Sequence, residues 1–167
     1  MLKPFISIVS VVICFSVFAQ TGDTESRIKI IKSLYYKSQN YINSNPKYKV
    51  VTGKLNTIKH TIKSFTLPEN LTVVSGQFSG WEFDESISFY KKDGGLYFVF
   101  ITNYDVQGKT ELRIYFDTDE NIIKILEKSD RENGILSDNI PVTDPTRINT
   151  INSYINEKRR ECNSLLN

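Results

Sequence analysis

The 167-residue chain has few residues of the kinds that build disulfides and metal sites, with two cysteines and one histidine in total. Cys14 lies in an N-terminal segment that we predict to be removed, which leaves Cys162 alone and excludes an intramolecular disulfide. His60 and Cys162 are too few for the usual four-ligand zinc site. We therefore expect no metal and no cofactor. The apolar neighbours of Cys162 at helical spacing predict a buried thiol, and pairing between two chains is the alternative.

An excess of charge of one sign is also lacking. The chain has 21 basic and 19 acidic residues, and their signs are interspersed. Nucleic-acid binding normally needs a basic face, so we expect no nucleic-acid partner. No block of like charge indicates a membrane-surface patch either.

Motifs for catalysis are absent as well. The sequence has no glycine-rich phosphate loop, no nucleophile elbow and no cysteine–histidine pair at a recognisable spacing. We predict no catalytic residues and a protein that is not an enzyme.

The first nineteen residues have the pattern of a secretory signal peptide. Lys3 supplies the positive start, an apolar run extends from Phe5 to Phe18, and Val17 and Ala19 suit the −3 and −1 positions of a cleavage site. The run is shorter than the roughly 20 residues that a membrane span needs. We predict cleavage after Ala19, export to the periplasm or the extracellular space, no stable membrane span afterwards, and a single domain over residues 20–167.

Hydrophobic spacing predicts a helix at each end of this domain. The first follows polar residues 21–26, with Asp23 or Thr24 as its cap, and stops at 43–46. Its apolar stripe comprises Ile28, Ile31, Leu34, Tyr35, Tyr41 and Ile42. The second has Asp144 as its cap and Pro145 at its first position. Its stripe comprises Ile148, Ile151, Ile155, Cys162 and Leu165.

The middle of the chain predicts an antiparallel meander. Strands are expected over 71–78, 81–91, 96–103, 109–117 and 122–128, and 129–143 is predicted to be a loop. Residues 48–67 fit both helix and strand, and we favour strand after Thr57. Residues 89–100 and 115–126 match each other without a gap: each has two aromatics, a polar turn and an apolar strand. The predicted fold is α+β, a meander of five to six strands with the N-terminal and C-terminal helices packed on one face.

Two-residue turns at 93–94 and 119–120 predict the register of the strands. They set Phe89 opposite Phe98 and Ile114 opposite Ile125, and a five-residue link at 105–109 sets Phe98 opposite Phe116. One face then holds Ile87, Phe89, Phe98, Phe100, Ile114, Phe116, Ile123 and Ile125. We expect both helices to dock on this apolar face.

The other predicted face is centred on tyrosines. A solvated face tolerates such side chains, and a recognition surface is the alternative, because tyrosine and arginine are enriched at interfaces. Our candidate binding residues on it are Tyr90, Tyr97, Val99, Arg113, Tyr115 and Lys124.

Two acidic groupings are further candidates. Glu82 and Asp84 lie two apart on one strand, and with Glu111 they suggest the carboxylate site of a small hydrolase. Residues 117–121 begin like a calcium loop, but Ile122 replaces the required glycine and Lys128 replaces the final glutamate. A hairpin turn explains this segment better than a metal site.

At 89–100 and 113–126 the chain resembles a loose group of small exported bacterial proteins of unknown function with aromatic β-hairpin repeats. The resemblance includes Phe18-Ala19-Gln20, and the second repeat departs from the pattern in having Glu120-Asn121 in place of glycines. It implies an exported, non-catalytic α+β domain and carries no functional residues.

Together these observations predict an exported, non-enzymatic binding or inhibitory module whose exposed tyrosine face meets an envelope protein or a glycan. The alternatives are the small hydrolase above and a carrier of apolar ligands. A carrier needs a cavity of about 300 Å³ or more between sheet and helices.

Overall fold

The computed structural model describes residues 6–44, 47–55, 58–130 and 137–166, with side chains from residue 23 onward except 54–55. The fold is α+β, as predicted: one antiparallel sheet in strict meander order with a helix at each end of the chain. The helices are α1 (Ile6–Ser44) and α2 (Pro145–Leu166). The strands are β1 (Tyr48–Leu55), β2 (Ile58–Leu67), β3 (Leu71–Ser79), β4 (Phe83–Lys92), β5 (Gly95–Asp105), β6 (Gly108–Phe116), β7 (Ile122–Ser129) and β8 (Ile140–Pro141).

The described residues form eight strands, so the prediction of five to six was too low. The ambiguous segment 48–67 supplies two of them, because its β-branched residues fit the pleated sheet and its 3–4 apolar spacing does not produce a helix. Within the predicted loop, Ile140 and Pro141 pair with the edge of β7.

The helix stripes were predicted correctly, but the start of α1 was not. Ile28 and Ile31 are buried on α1, and Ile151, Ile155 and Cys162 are buried on α2. α1 is continuous from Ile6, so residues 23 and 24 lie inside the helix and do not cap it. The apolar segment before them is compatible with helix and extends it. At α2 the backbone N–H of residue 146 donates to Oδ1 of residue 144 (3.1 Å), as the predicted cap requires.

The two helices lie on opposite faces of the sheet, which corrects the prediction that both pack on one face. α1 packs on a cluster that includes Phe65, Leu71 and Phe98, whereas α2 packs on one that includes Phe89 and Ile114. Both faces of the central strands are therefore apolar enough to need a covering layer.

The reason for this correction lies in β5. The turn at Asp93-Gly94 was predicted correctly: both residues have positive φ (53° and 85°), as a two-residue hairpin turn requires. A bulge after Tyr90 inserts Tyr97, however, and shifts the pairing by one residue, so that Phe89 lies opposite Val99.

The predicted register between β5 and β6 was also wrong by one residue. This second error cancels the first. The β5–β6 turn has two residues, Val106 and Gln107, and it sets Val99 opposite Ile114. The predicted pairing of Ile114 with Ile125 is correct. β4 and β6 were thus assigned to the right faces, while β5 was inverted: Phe98 and Phe100 face α1, and Val99 and Ile101 face α2. The predicted two-residue turn at 119–120 was also wrong, because residues 117–121 link β6 to β7 and a bulge sets Phe116 opposite Ile122. Ile123 therefore lies on the α1 side and not on the predicted apolar face.

Candidate functional site

The predicted tyrosine face exists but is not exposed. Tyr90, Tyr97 and Tyr115 have 3%, 2% and 3% of their surface exposed, because α1 lies over them. Val99 is fully buried on the α2 side. Burial of these residues overturns the expected exposed face.

Polar contacts anchor α1 to this face. Ser38 is buried on α1, and its hydroxyl lies 3.1 Å from the Tyr97 hydroxyl. Gln39 Nε2 donates to the Tyr90 hydroxyl at 2.7 Å. Burial raises the pKa of both tyrosines above its ordinary value, so both hydroxyls stay neutral at physiological pH. These two predicted binding residues thus join helix to sheet.

A cleft of about 340 Å³ remains beside α1, where the helix leaves part of β5–β7 uncovered. We call it the α1 cleft. Its lining comprises Ile31, Lys32, Tyr35, Tyr36, Phe98, Phe100, Arg113, Tyr115, Leu126, Lys128 and Asn139. Of the six predicted binding residues it brings together Arg113 and Tyr115. Lys124 pairs with Tyr115 in the ladder and is partly buried outside this lining.

The charges that line the α1 cleft have one sign. Lys32, Arg113 and Lys128 line it, and no acidic side chain does. Arg113 is held in place: it donates from Nη2 to Glu111 (2.7 Å) and from Nη1 to Asn139 (3.1 Å). Its guanidinium also lies 5.3 Å from the centroid of the Phe100 ring. A fixed, partly exposed guanidinium on an aromatic wall suits recognition of an anion.

Aromatic rings form the rest of the wall. Tyr35 contacts Phe98 edge to face with ring centroids 5.2 Å apart, and Phe98 lies 5.1 Å from Tyr115. Burial raises the pKa of Tyr35 and Tyr115, although the charge of Arg113 opposes this rise. Both phenols therefore remain hydrogen-bond donors at neutral pH.

The acidic candidates differ in their surroundings. Glu82 and Asp84 are exposed, whereas Glu111 is buried in salt bridges with Lys109 (2.6 Å) and Arg113 (2.7 Å). Burial acts to raise the pKa of Glu111, but the hydrogen bond and charge of Lys109 and the charge of Arg113 lower it overall. Glu111 is thus held ionised, which suits a structural role better than proton donation.

The calcium-like segment is a hairpin turn. Oδ1 of Asp117 accepts from the backbone N–H groups of Asp119 (2.9 Å) and Asn121 (2.8 Å). Its other oxygen accepts from the Asn121 side chain at 3.0 Å. The carboxylate therefore closes the turn on itself. The described side chains contain no group of three or more histidine, cysteine, aspartate or glutamate residues placed to hold a metal ion.

Sequence reasoning missed the α1 side of the cleft and both phenylalanines of β5. The adjacent pair Tyr35-Tyr36 was a usable signal, because an amphipathic helix with one stripe buries only one of two neighbouring aromatics. Tyr36 is indeed 64% exposed. The inversion of β5 hid Phe98 and Phe100, and no signal in a single sequence locates that bulge.

No family model, curated protein or solved structure matches the chain. Among the described residues, no helix has both the length and the apolar content needed to cross a membrane.

Proposed function

We propose that the chain is an exported, non-enzymatic binding module that holds an anionic ligand with an apolar or ring-bearing body in the α1 cleft. Export rests on the signal-peptide pattern of residues 1–19. The binding role joins two of the sequence-based expectations, the binding module and the carrier of apolar ligands.

One observation carries the proposal. The α1 cleft combines three basic side chains and no acidic one with a wall of aromatic rings. An anion bound there meets the guanidinium of Arg113 and the phenols of Tyr35 and Tyr115, while an apolar body lies against Phe98 and Phe100. The volume, about 340 Å³, is in the usual range for small-molecule sites.

The anionic group belongs to a small molecule or is carried by an envelope protein or a glycan. Such a partner has to contact the partly exposed side chain of Arg113, since Tyr90, Tyr97 and Tyr115 are buried. No observation on Glu82, Asp84 and Glu111 favours the hydrolase.

The test uses protein that a bacterial host has exported. We expect the mass of this exported protein to correspond to a chain that begins at Gln20. Calorimetric titration compares phenylbutyrate with its neutral amide, phenylbutanamide. We expect the acid to bind about tenfold more tightly, because a charge-assisted hydrogen bond to Arg113 is stronger than a neutral one.

Arg113→Gln is expected to remove this preference for the acid. Arg160→Gln is the matched control, since Arg160 is exposed on α2, on the other face of the sheet. Equal affinity for acid and amide, or an unchanged preference in Arg113→Gln, contradicts the binding proposal. A mass that includes residues 1–19 contradicts export.

A further inference from the structure

A second cavity, of about 390 Å³, lies on the opposite face of the sheet, between β4–β7 and the first turns of α2. We call it the α2 cavity. Its floor contains two rows of cross-strand neighbours. Glu85 is paired with Asn103, and Asn103 with Thr110, in the first row. Ile101 and Leu112 are paired in the second.

The first row contains a hydrogen-bond acceptor that lacks a donor. Oδ1 of Asn103 is buried and has no hydrogen-bond partner in the part of the chain that the structure describes. A buried polar atom without a partner costs free energy, which a ligand that supplies the missing donor recovers.

Glu85 is the neighbour of Asn103 across the ladder. Its carboxylate accepts from the Tyr154 hydroxyl of α2, and it forms no salt bridge with another described residue. Burial, and then the hydrogen bond to Glu85, raise the pKa of Tyr154 above its ordinary value, so this hydroxyl stays protonated. Among the described residues, this partly buried carboxylate therefore has no lysine or arginine within salt-bridge distance.

The other charges of the α2 cavity compensate each other. Arg147 donates to Glu127 at 2.7 Å. With that pair neutral, Glu85 gives the cavity a net charge of −1, and Ile101, Leu112 and Ile151 supply an apolar surface.

We propose that the α2 cavity binds a primary ammonium group on a short apolar chain. The ammonium donates to the Glu85 carboxylate and to the amide oxygen of Asn103, and the chain lies on Ile101, Leu112 and Ile151. An ammonium has three N–H donors and no acceptor, which matches the two acceptors that the site offers, the Glu85 carboxylate and Asn103 Oδ1. A free alkylamine and the lysine side chain of a peptide share this chemistry.

This inference does not depend on the proposed function. The α2 cavity and the α1 cleft lie on opposite faces of the sheet, and the net charges of their lining residues have opposite signs. Failure at one site leaves the other proposal standing.

The experiment measures binding of hexylamine, hexanol and N-acetyl-lysine amide to the whole exported chain by NMR titration. We expect hexylamine to bind about tenfold more tightly than hexanol, with shifts at the backbone of Asn103 and Leu112. Tighter binding of the lysine derivative identifies a peptide as the source of the ammonium, and tighter binding of hexylamine identifies a free amine.

Glu85→Gln is expected to remove the difference between amine and alcohol. Asn103→Asp, which adds a second carboxylate, is expected to tighten amine binding. Glu82→Gln is the control, because Glu82 is exposed in the preceding turn. The proposal is overturned if amine and alcohol bind equally, if no amine binds, or if Glu85→Gln and Asn103→Asp both bind the amine like the parent chain. Circular dichroism of each variant shows that the comparison is made on folded protein.

Discussion

Gly76 on β3 sets how closely α2 approaches the sheet. A Cβ at this position would lie 2.8 Å from the Phe78 ring, 3.0 Å from Cys162 Sγ and 3.2 Å from Ile62 Cδ1. The absent side chain therefore makes room for the thiol. Cys162 is fully buried there, as its helical neighbours predicted, and burial raises the pKa of its thiol to about 11.

Gly76→Val is expected to lower the free energy of unfolding by about 1–3 kcal/mol, the usual cost of overpacking a core. Gly95→Val is the control, because a Cβ at Gly95 makes only an ordinary contact of 3.6 Å with the Lys92 carbonyl. Urea unfolding monitored by circular dichroism measures both. Equal losses in the two variants would show that the space beside Cys162 is not tight.

At the scale of elements, one carboxylate links the β6–β7 turn to α2 and to β5. Glu120 accepts from Arg159 of α2 at 2.6 Å and from the backbone N–H of Leu96 at 2.7 Å. The hydrogen bond from Arg159 is the largest cause that lowers the pKa of Glu120 below its ordinary value of 4.5. The ionised form is therefore favoured in the folded state.

This lowered pKa makes part of the stability dependent on pH. Because the folded pKa is the lower one, the contribution of Glu120 is present above pH 4.5 and is lost as the pH falls through the folded value. Glu120→Gln is expected to be about 0.5–1 kcal/mol less stable at neutral pH, a small loss because the pair is partly exposed. The loss should shrink in acid, and thermal unfolding at a series of pH values measures it. A loss of constant size at all pH values would contradict an ionic link.

For the whole molecule, the sheet separates two apolar cores. Ile31 of α1 is fully buried in one, and Ile155 of α2 is 1% exposed in the other. The two cores share the sheet as a common wall. The prediction of a single core on one face was therefore wrong. Each helix has its own surface to cover, so the two dock by independent contacts.

The stability losses caused by Ile31→Ala and Ile155→Ala should therefore add. We expect about 2–5 kcal/mol for each change. We expect the double variant to match the sum within about 0.5 kcal/mol. A positive control is the pair Ser38→Ala and Tyr97→Phe, whose hydroxyls are 3.1 Å apart and whose effects should not add. Strong coupling between Ile31 and Ile155 in chemical unfolding would show that the two cores act as one.

Local chemistry determined several features that sequence reasoning predicted correctly. The apolar spacing of α1 and α2, the cap at Asp144 and the turn at Asp93-Gly94 depend on neighbouring residues. The α+β class and the meander follow from the same short-range patterns. Arg113 and Tyr115 were also correctly placed on one face, because they lie two residues apart on the same strand.

Tertiary structure alone decided the face of β5, the side on which each helix packs and, with them, the shape of the α1 cleft. A bulge moves every later side chain of a strand to the other face, and its position depends on packing against partners distant in sequence. Tyr97 is that extra residue, and nothing in its neighbours marks it. The sequence by itself determined the stripes of both helices and the five strands β3–β7, since these depend on local spacing, whereas the sidedness of the sheet depends on the layers that cover it.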